Sequence, residues 1–474
     1  MGKSRKRRPR CQAGSLQQRL AQQPGLPLAQ HLPAEQVNDL CQRLGHFFRE
    51  RLFTPAVTLW TFLSQVLDPD HSCRQAVARL LAFRTAQGLS PCSPDTGAYC
   101  KARARLPEEL LSELTRGTGQ QTLADARRPW LWKGRRVKVV DGSGLSMPDT
   151  PENQRAYPKS AKLPPGVGFP VLRVVVLFSL AVGSVLDAAL GCFQGKGTGE
   201  VSLFRELEGN LERGDVLLAD RLYANFWIVA RCLAAGVDVV MRQHAGRKPL
   251  WYRGRGHRTD NRRVWWQKPP RPEWLSQEDY DRLPQWVRLR GVRVDVRQRG
   301  FRTRRLTVVT SFLDAEAVRG SELADLYRWR WQAELNLRAL KISLQMDVLR
   351  GQTPEMVRKE VWAHLLVYNL VREIMAQAAL TTTLDPAELS FKGALQTVNA
   401  FLEQMRLVQT AEEARALWEV LLRAVGTHRV GNRPDRYEPR ARKRRPKNYP
   451  RLKEPRAEAR RRLRERPRRS GKKR

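Results

Sequence analysis

The amino-acid sequence predicts an α/β protein built on a mixed sheet, and three observations carry that prediction. Apolar residues at three- and four-residue spacing fill the first part of the chain, which is the period of helices. Beyond Leu131 the period becomes that of strands, in short β-branched runs bounded by glycine and polar residues. Those runs alternate with helical segments as three strands, helix, strand, helix, strand, an order that a mixed sheet satisfies.

Ahead of the strands, Leu52, Val57, Leu59, Phe62, Leu63 and Val66 set one apolar stripe, and Val77, Leu80, Leu81 and Phe83 set another. Asp68-Pro69-Asp70 and Ser90-Pro91-Cys92-Ser93-Pro94 separate them as turns. The first strand is Arg136-Val137-Lys138-Val139-Val140-Asp141, which ends in an acid, and Gly142-Ser143-Gly144 after it reads as a turn. Residues 172–177 and 185–193 read as a hairpin around Ala181-Val182-Gly183-Ser184. A helix carrying Leu203, Phe204, Leu207 and Leu211 closes at Gly214, and residues 215–220 form a short buried strand that again ends in an acid, Asp220. A helix over 226–235 and a strand over 237–241 complete the series. The chain then runs to a further strand at 306–310, a connection too long for a plain loop, and the alternation over 287–296 marks strand structure inside it.

In the helix predicted over 327–341, a step of about 100° per residue places Tyr327, Arg330, Glu334, Arg338 and Lys341 within an arc of about 80°. Leu326, Ala333, Leu337, Leu340 and Leu344 occupy the adjoining arc, so one face is core and its neighbour is charged. Residues 356–378 read as a long amphipathic helix, and 401–425 as a further helical region, suited either to closing the fold or to pairing two copies.

Composition restricts the partners. Eighty-six Lys and Arg against 47 Asp and Glu leave +39 on 474 residues. A charge of that size repels itself unless a polyanion neutralises it; nucleic acid fits, and a small acidic substrate does not require it. With 41% hydrophobic residues, 13 Trp and 14 Phe, the chain has material for a core, which excludes wholesale disorder. Residues 3–10 carry six basic residues and no acid, and residues 441–474 carry eighteen basic and three acidic ones, a net +15. Both ends read as solvated arms that grip phosphates without reading sequence. Arg74, Arg79, Arg84, Lys101, Arg103 and Arg105 make the helical region a candidate DNA reader, although no helix-turn-helix spacing stands out. The seven cysteines form no zinc-ligand spacing. No apolar run is long enough to span a membrane, and no apolar stretch follows the basic N-terminus, so the expectation is a reducing, cytoplasmic protein associated with the nucleoid.

Asp141 and Asp220 each end an apolar strand, where open α/β sheets expose their binding edge. Carboxylates brought together there repel one another unless a divalent cation bridges them, and hard oxygen ligands select Mg²⁺ or Mn²⁺. Glu334 is the third acid. Taken alone, either aspartate reads equally as a turn-former or helix cap, and the helix reads as a solvated face laced with Arg330–Glu334 and Glu334–Arg338 pairs. Asp149, Asp187, Asp215 and Asp238 lie near the chosen pair but follow a turn or sit within or before their strands, and Glu322 and Asp325 fall off the Tyr327 face.

The spacing Tyr327-x₂-Arg330-x₃-Glu334-x₆-Lys341 resembles the Y-R-E-K signature of the insertion-sequence-four family of DDE transposases. Asp141-Gly142-Ser143, Ala219-Asp220-Arg221-Leu222-Tyr223, the Arg330-Trp331 pair and Lys443-Arg444-Arg445-Pro446-Lys447 are similar to that family as well, over roughly residues 52–451. The resemblance implies a ribonuclease-H-like mixed sheet, whose strand order matches the one read above, with a β-rich insertion. It divides the chain into a basic disordered arm (1–35), a helical DNA-binding domain (36–130), a catalytic domain (131–380) with the insertion at about 242–306, C-terminal helices open to dimerisation (381–428) and a basic disordered tail (429–474).

The implied activity is metal-dependent cleavage at the ends of a mobile element and strand transfer into target DNA. Asp141, Asp220 and Glu334 are then the catalytic residues and hold two Mg²⁺ ions, with Mn²⁺ as a substitute. Tyr327, Arg330 and Lys341 hold the phosphate of the 5′ end, with Arg338 and Trp331 beside them on the DNA. In hairpin-forming members an aromatic residue of the insertion stacks on a flipped base. Trp265, Trp266 and Trp251 are the candidates there, and Trp331 is another; the alternative is that these indoles pack the insertion's own core. The partners are double-stranded DNA, as terminal inverted repeats and target, and a second copy in a synaptic homodimer. The rival readings are a relative that copies its element, a domesticated DNA-binding protein without catalysis, and an RNA-binding protein, which would show aromatic platforms that are absent here.

Overall fold

The computed structural model describes residues 32–48, 51–159, 168–244, 261–295, 305–405, 408, 410–431 and 454–465. One eight-stranded mixed sheet organises them, in the order third, second, first, fourth, fifth, eighth, seventh, sixth. β1 (Val137–Ser146), β2 (Val171–Ser179) and β3 (Val185–Cys192) run antiparallel to their neighbours. β4 (Val216–Ala219) lies parallel to β1 on its other edge, and β5 (Asp238–Arg242) lies parallel to β4. The sheet continues antiparallel from β5 through β8 (Arg305–Thr310), β7 (Trp286–Asp295) and β6 (Asn261–Gln267).

One expectation is corrected here. Gly142-Ser143-Gly144 is not a turn: β1 runs through it to Ser146, because Gly142 pairs with Val175, Ser143 with Val174 and Gly144 with Arg173. These glycines supply lateral room, for Glu200 over Gly142 and for Val171 and Phe193 over Gly144. The stretch expected as a β-rich insertion supplies strands β6 and β7, which extend the central sheet. Edge pairing explains this, since β8 offers β7 an unpaired side over six residue pairs. Trp251 lies outside the described residues.

Helices cover both faces. The N-terminal ones are α1 (Ala34–Arg43), α2 (Pro55–Leu67), α3 (Cys73–Ala86), α4 (Gly97–Arg105) and α5 (Glu108–Ala124), with α2 and α3 capped by the side chains of Thr54 and Ser72. Apart from a small cluster of Ala76, Val77 and Tyr99, their core is shared with the rest of the molecule. Leu59, Leu63, Leu110 and Leu114 share one apolar cluster with Val174 and Val185 of the sheet and with Leu365, Leu366 and Val371. Those last three belong to a 27-residue helix, Pro354–Leu380, of which twenty residues are buried; the helix expected over 356–378 is thus a central helix of the molecule. Asn369 within it donates to the carbonyls of Thr115 and Val185, both at 2.8 Å, and accepts from the Val185 amide at 2.7 Å. One fully satisfied side chain thus ties α5, the hairpin and the long helix together.

A short helix α6 (Pro151–Ala156) lies against the central helix, and on the opposite face α7 (Glu200–Leu207) and α8 (Phe226–Ala234) close a second apolar cluster around Val175, Leu217 and Val239. α9 (Gln277–Arg282) lies in the insertion. After β8 come α10 (Gly320–Trp329), α11 (Trp331–Arg338), the central helix as α12, α13 (Phe391–Met405) and α14 (Ala411–Thr427). The stretch expected to be a disordered tail contains α15 (Arg456–Glu465), a run of strong helix formers. Its Arg456 guanidinium lies 4.9 Å from the centre of the Phe169 ring. The arm at 3–10 and the run 443–447 fall outside the described residues. Among the described residues no helix is long and apolar enough to cross a membrane.

Candidate active site

Asp141 and Asp220 are brought together by strand register. In the parallel pairing of β1 with β4, Val137 lies opposite Val216 and Val139 opposite Leu218. Continued by two residues, the same register puts Asp141 level with Asp220, on the same side as Val139 and Leu218. The Asp141 carboxylate accepts from the Gly142 amide at 2.9 Å, and that of Asp220 from the Leu222 amide at 2.7 Å. Burial pushes the Asp141 carboxyl up to about 6; the Gly142 amide and Arg330 act against this, while Glu334 and Asp220 add to it. The three acids are therefore close enough to feel one another.

The third acid comes from a helix that is less regular than its sequence pattern. It breaks at Arg330 between α10 and α11, then widens into a π turn over Ala339–Ser343, where Leu344 bonds back five residues to Ala339. The core side is as predicted, with Leu326, Ala333, Leu337, Leu340 and Leu344 all buried. On the charged side Arg330 donates to Glu334 at 2.6 Å. Tyr327 is largely buried, its phenol pushed up to about 12 by desolvation, with Arg330 and Arg242 opposing and Asp220 adding to the shift. Lys341, carried by the π turn, donates to the Ser143 hydroxyl at 3.1 Å and the Gly144 carbonyl at 3.2 Å. The extension of β1 past Asp141 is thus what receives the lysine. π turns of this kind recur at functional sites.

Arg338 is exposed beside this group, and Trp331 is 51% exposed. Trp265 and Trp266 point to opposite faces of β6, as neighbours on a strand must. Trp265 is 40% exposed, with Arg288 above its ring, whereas Trp266 is 3% exposed and packs in the second cluster. Trp266 is accordingly corrected from a DNA contact to a core residue. The competing acids are engaged elsewhere: Asp215 with buried Lys138 at 2.7 Å, Asp187 with Arg116 at 2.7 Å, Asp238 with Arg135 at 2.7 Å and Asp149 with Lys159 at 2.8 Å.

Among the described residues no three carboxylates, imidazoles or thiols are gathered tightly enough to chelate one ion. Glu334 is turned to Arg330 instead. The donor set still suits a hard divalent cation, since it is all oxygen and burial disfavours the bare Asp141 carboxylate, a cost that a cation would relieve. Two neighbours escaped the sequence reading. Glu200, the first residue of α7, lies against Gly142, and Tyr223 is buried beside it. In the sequence Glu200 is only an acid in the first turn of a helix, a pattern common to ordinary helix starts.

Similarity to known proteins extends over most of the chain. The profile of the family described as Transposase DDE domain matches residues 132–370, half of the chain. The transposase InsG for insertion sequence element IS4 of Escherichia coli (strain K12) is 26% identical over 413 residues, which cover 85% of this chain and 88% of that protein. The transposase for insertion sequence element IS421 of Escherichia coli is 41% identical over 54 residues, 11% of this chain and 15% of that one. The cryo-EM structure of a piggyBac transposase synaptic complex with hairpin DNA covers 88% of this chain and 89% of its own, at 10% identity and a TM-score of 0.42.

Proposed function

The chain belongs to the transposase DDE domain family, as an IS4-family DDE transposase, and from that premise we propose that it cuts both ends of a mobile element and joins them to target DNA with one Mg²⁺-dependent site. Dependence on a divalent metal comes with the family; Mg²⁺ as the ion, and excision in place of copying, are the finer reading. We assign its first five strands to the ribonuclease-H-like type, on their order and directions. The observation that carries the proposal is the level placement of Asp141 and Asp220 on adjacent parallel strands, with Glu334 close enough to raise the Asp141 carboxyl.

In this reading Asp141, Asp220 and Glu334 hold the metal. When bound, it supplies an activated nucleophile and stabilises the leaving oxygen of a phosphodiester. Arg330 has a second task. Its guanidinium now neutralises Glu334 through one contact, and a DNA phosphate would offer the guanidinium fork two acceptor oxygens. A phosphate that draws Arg330 away frees the Glu334 carboxylate toward Asp141, so engagement of DNA assembles the acidic triad. Lys341 adds a point charge held by Ser143 and Gly144, and Tyr327, Arg338, Trp331 and exposed Trp265 extend the DNA-facing surface. The basic N-terminal helices grip flanking DNA, and two copies pair to hold two ends.

The test is cleavage of DNA carrying the inverted repeats that flank the coding region. Purified protein with Mg²⁺ is expected to nick and then break this DNA, and Glu334→Ala is expected to bind it with unchanged affinity while losing cleavage by several orders of magnitude. Cleavage that survives Glu334→Ala would remove the assignment.

A further inference from the structure

Resting on the reading of Asp141, Asp220 and Glu334 as the cation-binding acids, we propose that Glu200 is a fourth acidic member of that site, a positioning residue that raises its affinity for a divalent cation. The first observation is steric. A Cβ built on Gly142 would stand 2.6 Å from Cδ and 2.8 Å from Oε2 of Glu200. The carboxylate therefore fills the space beside the residue that follows Asp141, and only glycine at position 142 leaves room for it. Residue 142 has no need of glycine's backbone freedom, since it lies inside a paired strand.

The second observation is the surroundings of that carboxylate. α7 packs across β2 and β3 and delivers Glu200 to within electrostatic reach of Asp220, with Arg173 as the opposing cation. Arg173 is itself anchored, donating to the Thr198 carbonyl at 2.9 Å and lying 4.6 Å from the centre of the Phe193 ring. Glu200 thus approaches the strand-end acids from the face of the sheet that carries α7, half-buried beside Gly142 and across β1 from the Asp141 side chain.

A third and independent observation is Tyr223. Its side chain is 1% exposed, its hydroxyl lies against the Glu200 carboxylate without a regular hydrogen-bond geometry, and Asp141 and Asp220 are the other carboxylates around it. A buried donor of this kind is satisfied once one of those carboxylates is drawn to it. Tyr223 and Glu200 together set where the aspartate pair sits. Outer carboxylates that orient ligating ones, and accept hydrogen bonds from ion-bound water, are typically worth a 10–100-fold change in metal affinity.

Mn²⁺ titrated into the full-length chain saturated with a short duplex carrying the terminal repeat, with the free ion followed by electron paramagnetic resonance and the binding of the duplex alone subtracted, tests this without any activity readout. Glu200→Gln keeps the shape and is expected to weaken Mn²⁺ binding by about 10–100-fold. Gly142→Ala should weaken it too, by displacing the carboxylate. In a Glu200→Ala background, Gly142→Ala should cost nothing further, because the space is already empty. Asp141→Asn distinguishes the two levels. If it loses Mn²⁺ while Glu200→Gln and Gly142→Ala bind like wild type, the role of Glu200 is overturned and the reading of the three acids stands. If wild type and Asp141→Asn bind alike, both are overturned. Should Glu200→Gln fail to fold, the Gly142→Ala single and double variants decide between these outcomes by the same readout.

Discussion

At the scale of single residues, the Arg330–Glu334 pair shows why geometry adds to a motif. The spacing singles out both residues, and their 2.6 Å contact holds the acid proposed as catalytic against the cation proposed to receive phosphate. Another residue-scale consequence belongs to histidine. His364 on α12 is 1% exposed, its ring sits edge-on to that of His71 at 5.3 Å, and its Nε2 has no partner. Burial lowers its pKa from 6.5 to about 3, and His71, itself lowered by burial, opposes protonation further. Around His71, Arg350 works in the same direction while Asp68 and Asp70 work against it. The unfolded chain takes up this proton at a higher pH than the folded one, so the contribution is whole above pH 6.5 and is lost as pH falls toward 3. The loss from this one group approaches about 1.4 kcal/mol per pH unit. Melting curves of wild type and His364→Leu between pH 7.5 and 4.5 should therefore shift relative to each other, in favour of the variant as pH falls. A constant difference across that range would refute this role for the buried imidazole.

At the scale of elements, α5 offers a matched pair of glycines. A Cβ at Gly119 would stand 1.9 Å from the Val185 carbonyl oxygen, which is backbone and cannot rotate away, whereas nothing lies within 4 Å of one at Gly117. Gly119→Ala should separate α5 from the hairpin and cost at least about 3 kcal/mol, while Gly117→Ala should stabilise by about 0.5–1 kcal/mol through helix propensity. Urea unfolding of the two variants checks both signs, and equal midpoints would be inconsistent with this packing. The same contrast shows what was legible in the sequence. Period and strand-end acids located β1, β4, β5 and the Tyr327–Lys341 helix, because a local repeat of apolar residues suffices for those. The run through Gly142 to Gly144, the π turn that carries Lys341 and the placing of Glu200 depend on what lies opposite each residue in space. A glycine needed for lateral room has the same letter as one needed for a turn. For the same reason Trp265 and Trp266 are equivalent in the sequence and opposite in the fold.

At the scale of the whole molecule, charge and core are separated. The two central clusters run from α2 to α14 and across the sheet, so the helices expected as an independent reader are welded to the catalytic sheet through Asn369 and the α12 core. Much of the positive charge lies outside that body, with a net +15 on residues 441–474. Phosphate neutralisation releases counterions, and the logarithm of affinity falls with the logarithm of salt in proportion to the contacts made. Truncation after residue 440 removes charge and, among the described residues, no core residue, so it should lower affinity for random duplex DNA and flatten its salt dependence, while the melting temperature stays unchanged. Part of that charge is already committed, since Arg456 of α15 rests on Phe169 at the start of β2, so the slope should drop by fewer contacts than the tail has cations. Cleavage by the truncated chain at low salt should approach that of the full chain once DNA is saturating, because Asp141, Asp220, Glu334 and the residues that hold them all lie within the core. A truncated chain that binds with the same salt slope would mean that the body carries the grip, and one that binds normally but fails to cut at saturation would place α15 in the active site.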